Sequence, residues 1–260
     1  MKVVILAGGF GTRISEESHL KPKPMIKIGN QPILWHILKG YSHFGYNDFI
    51  ICCGYKAEII KSYFANYYML RSDITFDFTN NNSMTIHANE AEPWRVTVVD
   101  TGLNTMTGGR VKRIQKYVGN EPFMLTYGDG VSDVNIRELE QEHRRARKIA
   151  TLTAIQPGGK FGTLSINENG GIHGFAEKHK EDGGWINGGF MVFEPQIFDY
   201  IKGDDTTLER EPFETLANSG QLEAYMYSGF WQCMDTLRDK HYLEALWESG
   251  EAPWMHGIKS

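Results

Sequence analysis

A short apolar run at the start of the chain leads directly into a glycine-rich loop. Val3–Leu6 is rich in β-branched residues and leucine, which predicts a strand buried on both faces of a parallel sheet. The loop follows as Ala7-Gly-Gly-Phe-Gly-Thr-Arg13. Glycines permit positive φ and let backbone N–H groups face phosphate oxygens, while Arg13 adds a planar charged fork. The sequence therefore predicts a phosphate-binding loop at the carboxyl end of the first strand.

A lysine flanked by prolines, in Lys21-Pro-Lys-Pro-Met25, follows this loop. The added cation favours a nucleotide ligand over a surface turn that needs glycine for geometry alone. Two better-known phosphate loops fit poorly. Gly9-Phe-Gly11 is not completed to the G-x-G-x-x-G pattern of dinucleotide-binding proteins, and a Walker Gly-Lys-Ser/Thr is missing. An oxidoreductase is thus disfavoured.

Overall charge and composition exclude several classes of partner. The chain has 260 residues, a formal net charge of −5 and a pI near 6.0, so it has no electrostatic footprint for nucleic acid. No apolar run reaches the roughly 20 residues of a membrane span. The first residues have neither the charged and apolar regions nor the cleavage site of a signal peptide, so we do not expect secretion. Adjacent Cys52 and Cys53 cannot form a disulfide framework. We expect one cytoplasmic domain over residues 1–260 that acts on small molecules.

The order of the remaining segments favours an α/β fold. Strand, helix, strand, helix is the predicted order up to Asn66, which is typical of right-handed βαβ units. Thr105–Arg110 is predicted as a second glycine-bearing loop and residues 111–118 as a helix. Residues 162–194 alternate like β hairpins, with a turn at residues 167–171. Glycine-bearing loops would then gather at one edge of the sheet.

Two aspartates stand at the ends of predicted elements, one after a strand and one before a helix, where they could bind a metal ion. Asp129 stands in a Gly-Asp-Gly turn after the apolar strand Phe123–Tyr127. Asp235 stands just before Thr236, where a helix should begin, and either residue could cap that helix. Paired carboxylates at sheet ends commonly seat Mg²⁺ between substrate phosphates. Asp129 and Asp235 are therefore the predicted metal ligands.

Taken together, these motifs resemble the sugar-1-phosphate nucleotidylyltransferases, and within that family the branch that transfers cytidylyl groups. The resemblance runs nearly end to end. It is carried by residues 6–13, 15–17, 21–25, 126–130, 177–178, 186–189 and 234–239. Residues 15–17, 107–110 and 231–239 favour the cytidylyl branch over the thymidylyl and uridylyl branches.

The resemblance implies a role for each matching residue. Arg13, Lys23 and Asp129 would be catalytic, and Asp129 and Asp235 would bind Mg²⁺. Lys178, Asn187 and Gly188 would bind the sugar phosphate. The nucleotide would be bound by Leu6, Ala7, Gly8, Gly9, Gly11, Thr12, Arg13, Lys23, Thr105 and Arg110, with Thr105 and Arg110 near the cytosine.

The implied fold is α/β: a Rossmann-like mixed, mostly parallel sheet flanked by helices, with a small β-rich sugar-binding portion. Residues 1–130 would mainly bind the nucleotide and residues 131–260 the sugar phosphate. The implied reaction joins CTP and α-D-glucose 1-phosphate and releases pyrophosphate. The enzyme would be a homo-oligomer with Mg²⁺ as cofactor, and its product would be used in the synthesis of cell-surface polysaccharide. One alternative is a nucleotidylyltransferase that uses another sugar phosphate or another triphosphate. A second is a nucleotide-sensing homologue without catalytic activity. His179 stands where the family often has proline, and Trp185 where it can have a smaller residue, which leaves the sugar open.

Overall fold

The computed structural model describes residues 1–156, 163–166, 172–176 and 184–258. The strands are β1 (Lys2–Ala7), β2 (Lys27–Ile28), β3 (Gln31–Pro32), β4 (Asp48–Cys53), β5 (Ser72–Asp77), β6 (Ser83–Asn89), β7 (Arg95–Asp100), β8 (Phe123–Tyr127), β9 (Gly130–Ser132), β10 (Ala150–Ile155), β11 (Thr163–Ile166), β12 (Ile172–Ala176), β13 (Ile186–Phe193), β14 (Leu222–Tyr227) and β15 (Trp231–Cys233). The helices are α1 (Ser15–Ser18), α2 (Ile33–His43), α3 (Ala57–Leu70), α4 (Thr107–Arg113), α5 (Gln115–Val118), α6 (Ile136–Ala146), α7 (Glu211–Asn218) and α8 (Leu237–Glu248).

Seven strands form the central sheet, in the order β14-β10-β13-β8-β1-β4-β7. Strand β13 is antiparallel to both neighbours, and the other pairings in this sheet are parallel. The predicted mixed, mostly parallel α/β sheet is thereby confirmed. Parallel pairing brings the carboxyl ends of β1, β4, β7 and β8 to one edge, and the reversed β13 starts at that same edge. Ligands of open α/β sheets bind outside these carboxyl ends.

The sheet is buried on both faces, as the apolar run at the start of the chain predicts. Val3 and Ile5 belong to one hydrophobic cluster, with side chains from α2, α3, α6 and α8. Val4 and Leu6 belong to the other, with side chains from α4, α5 and α7. Alternate residues of one strand point to opposite faces, so β1 contributes to both cores. The fold therefore has three layers, with helices on either side of the sheet.

Helix α4 begins earlier than predicted. It starts at Thr107, so most of the segment expected as a loop is helical. Gly108 and Gly109 indicated a turn, but in the helix they allow close packing. A Cβ on Gly108 would lie 2.7 Å from the carbonyl oxygen of Thr206, and one on Gly109 would lie 2.6 Å from the carbonyl oxygen of Asp204. Helix α3 also runs four residues further than predicted, to Leu70. The predicted hairpin strands exist as β11 and β12, while their turn at 167–171 lies outside the described residues.

Strands β5 and β6 form a two-stranded hairpin apart from the central sheet. Phe76, Met84 and the neighbouring Phe78 are exposed large apolar side chains, and the rings of Phe76 and Phe78 stack on each other. In the described part of the chain, no helix is both long and apolar enough to cross a membrane.

His36 on α2 is a fully enclosed histidine whose tautomer is fixed by its neighbours. Its Nε2 lies 3.1 Å from the carbonyl oxygen of Ile28, and its Nδ1 lies 3.3 Å from Nε1 of Trp254. The indole N–H can only donate, so Nδ1 accepts and Nε2 carries the proton. Burial lowers the pKa of His36 from 6.5 to about 4, although the Ile28 carbonyl opposes this shift.

We therefore expect His36 to make the fold acid-sensitive. Its stabilising contribution is complete above the unfolded-state pKa of 6.5 and is lost as pH falls toward the folded-state value of about 4. Between pH 7.5 and 5 the free energy of unfolding should drop by about 2 kcal/mol more in the wild type than in His36→Gln. Urea unfolding of both proteins at these two pH values measures the difference. Equal pH dependence in the two proteins would contradict the assignment.

Candidate active site

A pocket of about 460 Å³ lies at the carboxyl edge of the sheet, a volume suited to a small-molecule ligand. All ten residues predicted to bind the nucleotide line it, and Asp129 lines it too. These ten are Leu6, Ala7, Gly8, Gly9, Gly11, Thr12, Arg13, Lys23, Thr105 and Arg110. Tyr127 and Thr107 complete part of the wall. The loop after β1 thus faces the segment that enters α4.

One of the three loop glycines takes the positive φ that glycine permits. Gly11 has φ +67°, whereas Gly8 and Gly9 are outside that region. Gly8 is needed for another reason, because an added Cβ would lie 2.1 Å from Nη1 of Arg110. Of the three glycines, Gly11 alone therefore uses the positive φ that glycine permits. The space at Gly8 is taken by a guanidinium that sequence spacing could not place there.

Arg110 is a buried side chain that joins the loops around the pocket. Its guanidinium lies within hydrogen-bond distance of five oxygens, which are the carbonyls of Gly8, Cys53, Gly102 and Leu103 and the hydroxyl of Thr101. The Gly8 carbonyl follows β1, the Cys53 carbonyl ends β4, and the other three oxygens follow β7. Arg110 therefore holds three strand ends together from behind the glycine loop.

Replacement of Arg110 by methionine is expected to destabilise the protein, because several buried carbonyls lose a donor. The free energy of unfolding should fall by about 2 to 4 kcal/mol, and use of every triphosphate should fall by a similar factor. Arg113→Met is the matched control, since Arg113 is half-exposed and pairs with Asp204 at the surface. Urea unfolding and turnover with four triphosphates measure both effects. A loss confined to CTP, at unchanged stability, would instead assign Arg110 to the base.

Two cations and two carboxylates meet beside the pocket. Nζ of Lys23 lies 2.7 Å from Oδ2 of Asp129 and 2.5 Å from Oδ1 of Asp235. Nη1 of Arg13 lies 2.6 Å from the other oxygen of Asp235. The four residues predicted to handle phosphate and metal therefore form one network, although up to 222 positions separate them in the chain.

The short antiparallel pair β9 and β15 brings the two aspartates together. Gly130 pairs with Cys233 in this ladder, and the next backbone bond runs from Met234 N–H to the Asp129 carbonyl. Asp235 follows one residue later. It does not cap α8, since Thr236 is the cap and forms a capping box with Asp239. Asp239 also accepts the backbone N–H of Asp235, so this helix start holds the Asp235 backbone in place.

Charge pairing controls ionisation in the network. Burial alone would lower the pKa of Lys23, but the Asp129 and Asp235 carboxylates outweigh it and raise that pKa. Burial would raise the pKa of Asp235, but Lys23 and Arg13 lower it below its ordinary value. Burial, Asp235 and Asp129 raise the pKa of the Cys233 thiol to about 12. At neutral pH Lys23 is therefore a cation, Asp235 an anion and Cys233 a neutral thiol.

The donor set suits a hard divalent cation. Asp129 and Asp235 already converge on one positive group, the Lys23 ammonium, so both carboxylates can face a shared cation. Within the described residues, no cluster of three or more His, Cys, Asp or Glu side chains could hold a metal. Two carboxylates, with water and substrate phosphates in the other positions, is a usual arrangement for Mg²⁺.

The predicted sugar-phosphate residues are only partly described. Lys178 lies outside the described residues. Asn187 and Gly188 lie at the start of β13, where the Gly188 carbonyl accepts from Nε1 of Trp231 at 2.6 Å. Nδ2 of Asn187 donates to the Tyr127 hydroxyl at 3.1 Å. Asn187 thus contacts a residue that lines the pocket.

Several polar neighbours of the site have no motif in the sequence that marks them. Cys233 lies 3.4 Å from Oδ2 of Asp235. Glu209 accepts from both Tyr127 and Thr107, which are 82 and 102 positions away. No spacing rule connects residues so far apart. The only available signal was the position of Tyr127 at the end of an apolar strand.

Comparisons with known proteins agree with this geometry. The family described as nucleotidyl transferase matches residues 2–245. The chain is 56% identical to a glucose-1-phosphate cytidylyltransferase from Salmonella typhi, over 98% of each chain. It is 41% identical to a probable glucose-1-phosphate cytidylyltransferase from Bacillus subtilis, over 98% of this chain and 99% of the relative. The structure of HddC from Yersinia pseudotuberculosis has a TM-score of 0.69 at 21% identity, covering 95% of this chain and 99% of the other, which supports the fold alone.

Proposed function

Because the chain belongs to the nucleotidyl transferase family, we propose that it transfers a cytidylyl group from CTP to glucose 1-phosphate, giving CDP-glucose and pyrophosphate. The observation that carries the proposal is the network of Arg13, Lys23, Asp129 and Asp235 beside the pocket. The near full-length similarity to cytidylyltransferases supports the choice of CTP and of glucose 1-phosphate.

In this reaction a phosphate oxygen of the sugar attacks the α-phosphorus of CTP, in line with the departing pyrophosphate. The main obstacle is repulsion between two polyanions. Each pair of unit charges about 4 Å apart costs on the order of 1 kcal/mol in water and about 4 kcal/mol at an intermediate dielectric. We assign Arg13 and Lys23 to the triphosphate, where they neutralise charge on the leaving group.

The two cations differ in how freely they can reach a phosphate. The Arg13 side chain is 71% exposed, so its pair with Asp235 is weak and easily exchanged for a phosphate oxygen. Lys23 is 9% exposed and fixed between two carboxylates. Lys23 therefore orients the aspartates and presents one charge at a fixed place, while Arg13 supplies a movable fork.

Asp129 and Asp235 are the proposed Mg²⁺ ligands. A bound Mg²⁺ would neutralise phosphate charge and polarise the α-phosphate. The protein's own contribution is to hold the two carboxylates close together and to keep Asp235 ionised. In support, Lys23 and Arg13 lower the pKa of Asp235 against the effect of burial.

The proposed division of labour places the nucleotide mainly on residues 1–130 and the sugar phosphate mainly on residues 131–260. In support, the pocket lining runs from Leu6 to Asp129. Lys178, Asn187 and Gly188 are the proposed sugar-phosphate residues, and Asp235 is the contribution of the second half to the metal.

Pyrophosphate release with Mg²⁺, four ribonucleoside triphosphates and several sugar 1-phosphates tests the function. We expect the highest kcat/KM with CTP and glucose 1-phosphate. A higher value with another pair would reassign the substrate within the same chemistry. Binding of CTP without any pyrophosphate release would indicate a nucleotide sensor and contradict the proposed activity.

We further propose a cytoplasmic homo-oligomer. Cys52, Cys53 and Cys233 are free thiols, which suits a reducing compartment. Exposed Phe76 and Phe78 on the hairpin of β5 and β6 support a second copy as its partner, because an isolated hairpin is marginally stable in water. Sedimentation equilibrium of the wild type and of Phe76→Ser/Phe78→Ser tests this interface. We expect an oligomer for the wild type and a smaller mass for the variant, and a wild-type monomer would contradict it.

A further inference from the structure

A half-buried carboxylate links the wall of the nucleotide pocket to the start of β13. Oε1 of Glu209 accepts from the Tyr127 hydroxyl at 2.6 Å, and Oε2 accepts from the Thr107 hydroxyl at 2.5 Å. Thr107 is the first residue of α4, and its hydroxyl also accepts the backbone N–H of Leu208 at 2.9 Å. Each oxygen of Glu209 therefore holds one hydroxyl of the pocket wall.

The direction of these hydrogen bonds fixes the orientation of Asn187. Because the Tyr127 hydroxyl gives its proton to Glu209, its oxygen is left to accept, and Nδ2 of Asn187 donates to it at 3.1 Å. Oδ1 of Asn187 accepts the N–H of Gly189 at 3.0 Å. The amide of Asn187 is thus held in one of its two flips.

The backbone beside Asn187 needs such support. Gly189 has φ +76° and the non-glycine Phe190 has φ +47°, a left-handed conformation that is costly for a bulky side chain. This distortion accompanies a break in register between β10 and β13. A Cβ on Gly189 would lie 3.1 Å from the Tyr127 ring, so the distorted backbone packs against that ring.

We propose that Glu209 is a positioning residue that orients Asn187 through Tyr127 for binding the sugar 1-phosphate. The proposal rests on the proposed function, in which Asn187 contacts the sugar. Glu209 is not placed on the substrate itself. It acts by accepting a hydrogen bond from each of the two hydroxyls, one on each carboxylate oxygen. In an amide at the same place an NH2 group, which cannot accept, replaces one of these two oxygens, so one of the two hydroxyls loses its acceptor.

Steady-state kinetics of Glu209→Met, Tyr127→Phe and the double variant test this chain of contacts. Each single substitution should raise the KM for glucose 1-phosphate about tenfold, the usual scale for a lost hydrogen bond to a charged group. The double variant should match either single variant within about twofold, because both break the same path. Glu209→Gln should fall between the wild type and Glu209→Met. The Kd for CTP from calorimetry should change by less than about threefold in all of them.

Other results would overturn the proposal. If the KM for glucose 1-phosphate rose about a hundredfold in the double variant, the product of the two single effects, Glu209 and Tyr127 would act separately. An unchanged KM for glucose 1-phosphate with a lower unfolding temperature would mean that Glu209 only stabilises the fold. Should Glu209→Met fail to fold, Tyr127→Phe and Glu209→Gln with their double variant provide the same comparison. Wild-type protein without pyrophosphate release would reject the proposed function itself, before any variant is compared.

Discussion

Replacement of Asp235 by asparagine is expected to lower pyrophosphate release by about a hundred- to a thousandfold, the scale of losing one strong electrostatic contact in a transition state. The amide would keep the shape of the side chain but remove one of the two negative charges proposed for Mg²⁺. Lys23 would keep its contact with Asp129, so the fold should be nearly unchanged. Coupled detection of pyrophosphate at several Mg²⁺ concentrations measures the loss.

Asp48→Asn is the matched control for this substitution. Asp48 begins β4, at the end of the sheet remote from the pocket, and pairs at 3.6 Å with the exposed Arg95. We expect its activity to equal that of the wild type. Full activity of the Asp235 variant, with the Asp48 variant also active, would reject the metal assignment.

Lys23→Met is expected to have the second large effect. The change removes the cation that lies between Asp129 and Asp235, and with it the proposed contact to the triphosphate. We expect kcat/KM for CTP to fall about a hundredfold or more, because an interaction that neutralises developing charge is lost. The Kd for CTP should rise as well, which calorimetry measures separately from turnover.

The neighbouring Lys21 offers a control for charge alone. Its Nζ lies 3.3 Å from Oε2 of Glu17, in an ion pair four residues apart along the chain. Lys21→Met removes the same net charge two residues away and should leave kcat/KM for CTP within about twofold. Equal losses in the two variants would assign the effect to overall charge and not to the position of Lys23.

The sequence was most informative where chemistry follows directly from a strand. A continuous run of β-branched residues and leucine predicted β1, and the rule that parallel strands end at one edge predicted that Asp129 would lie near the glycine loop. The ten predicted nucleotide residues line one pocket for the same reason. Their individual roles stay predictions until variants are measured.

Tertiary packing decided what the sequence could not. Gly8, Gly108 and Gly109 look like turn residues, yet each is required because another group occupies the space of a Cβ. The buried fork of Arg110 fills that space at Gly8, and no local pattern shows which loops it joins. Asp235 was predicted as a ligand from its position, but its contact with Lys23 depends on the pairing of β9 with β15.

Polar networks between distant elements were the hardest part to predict. Glu209 has no motif around it, and its two partners come from β8 and from the start of α4. The sequence around Glu209 does not distinguish it from an exposed glutamate on the surface. Its proposed role depends on the hydrogen bonds that connect Thr107, Glu209, Tyr127 and Asn187, which come from distant parts of the chain.

Asp129 and Asp235 are proposed to hold a divalent cation at the place where Lys23 and Arg13 gather the phosphates of CTP. Electron paramagnetic resonance with Mn²⁺ as the probe measures this directly. In the presence of CTP, the wild type should bind about one to two Mn²⁺ per chain, on the scale of known phosphoryl-transfer sites, and Asp129→Asn and Asp235→Asn should each bind Mn²⁺ at least about tenfold more weakly. Unchanged Mn²⁺ affinity in both variants would contradict the account.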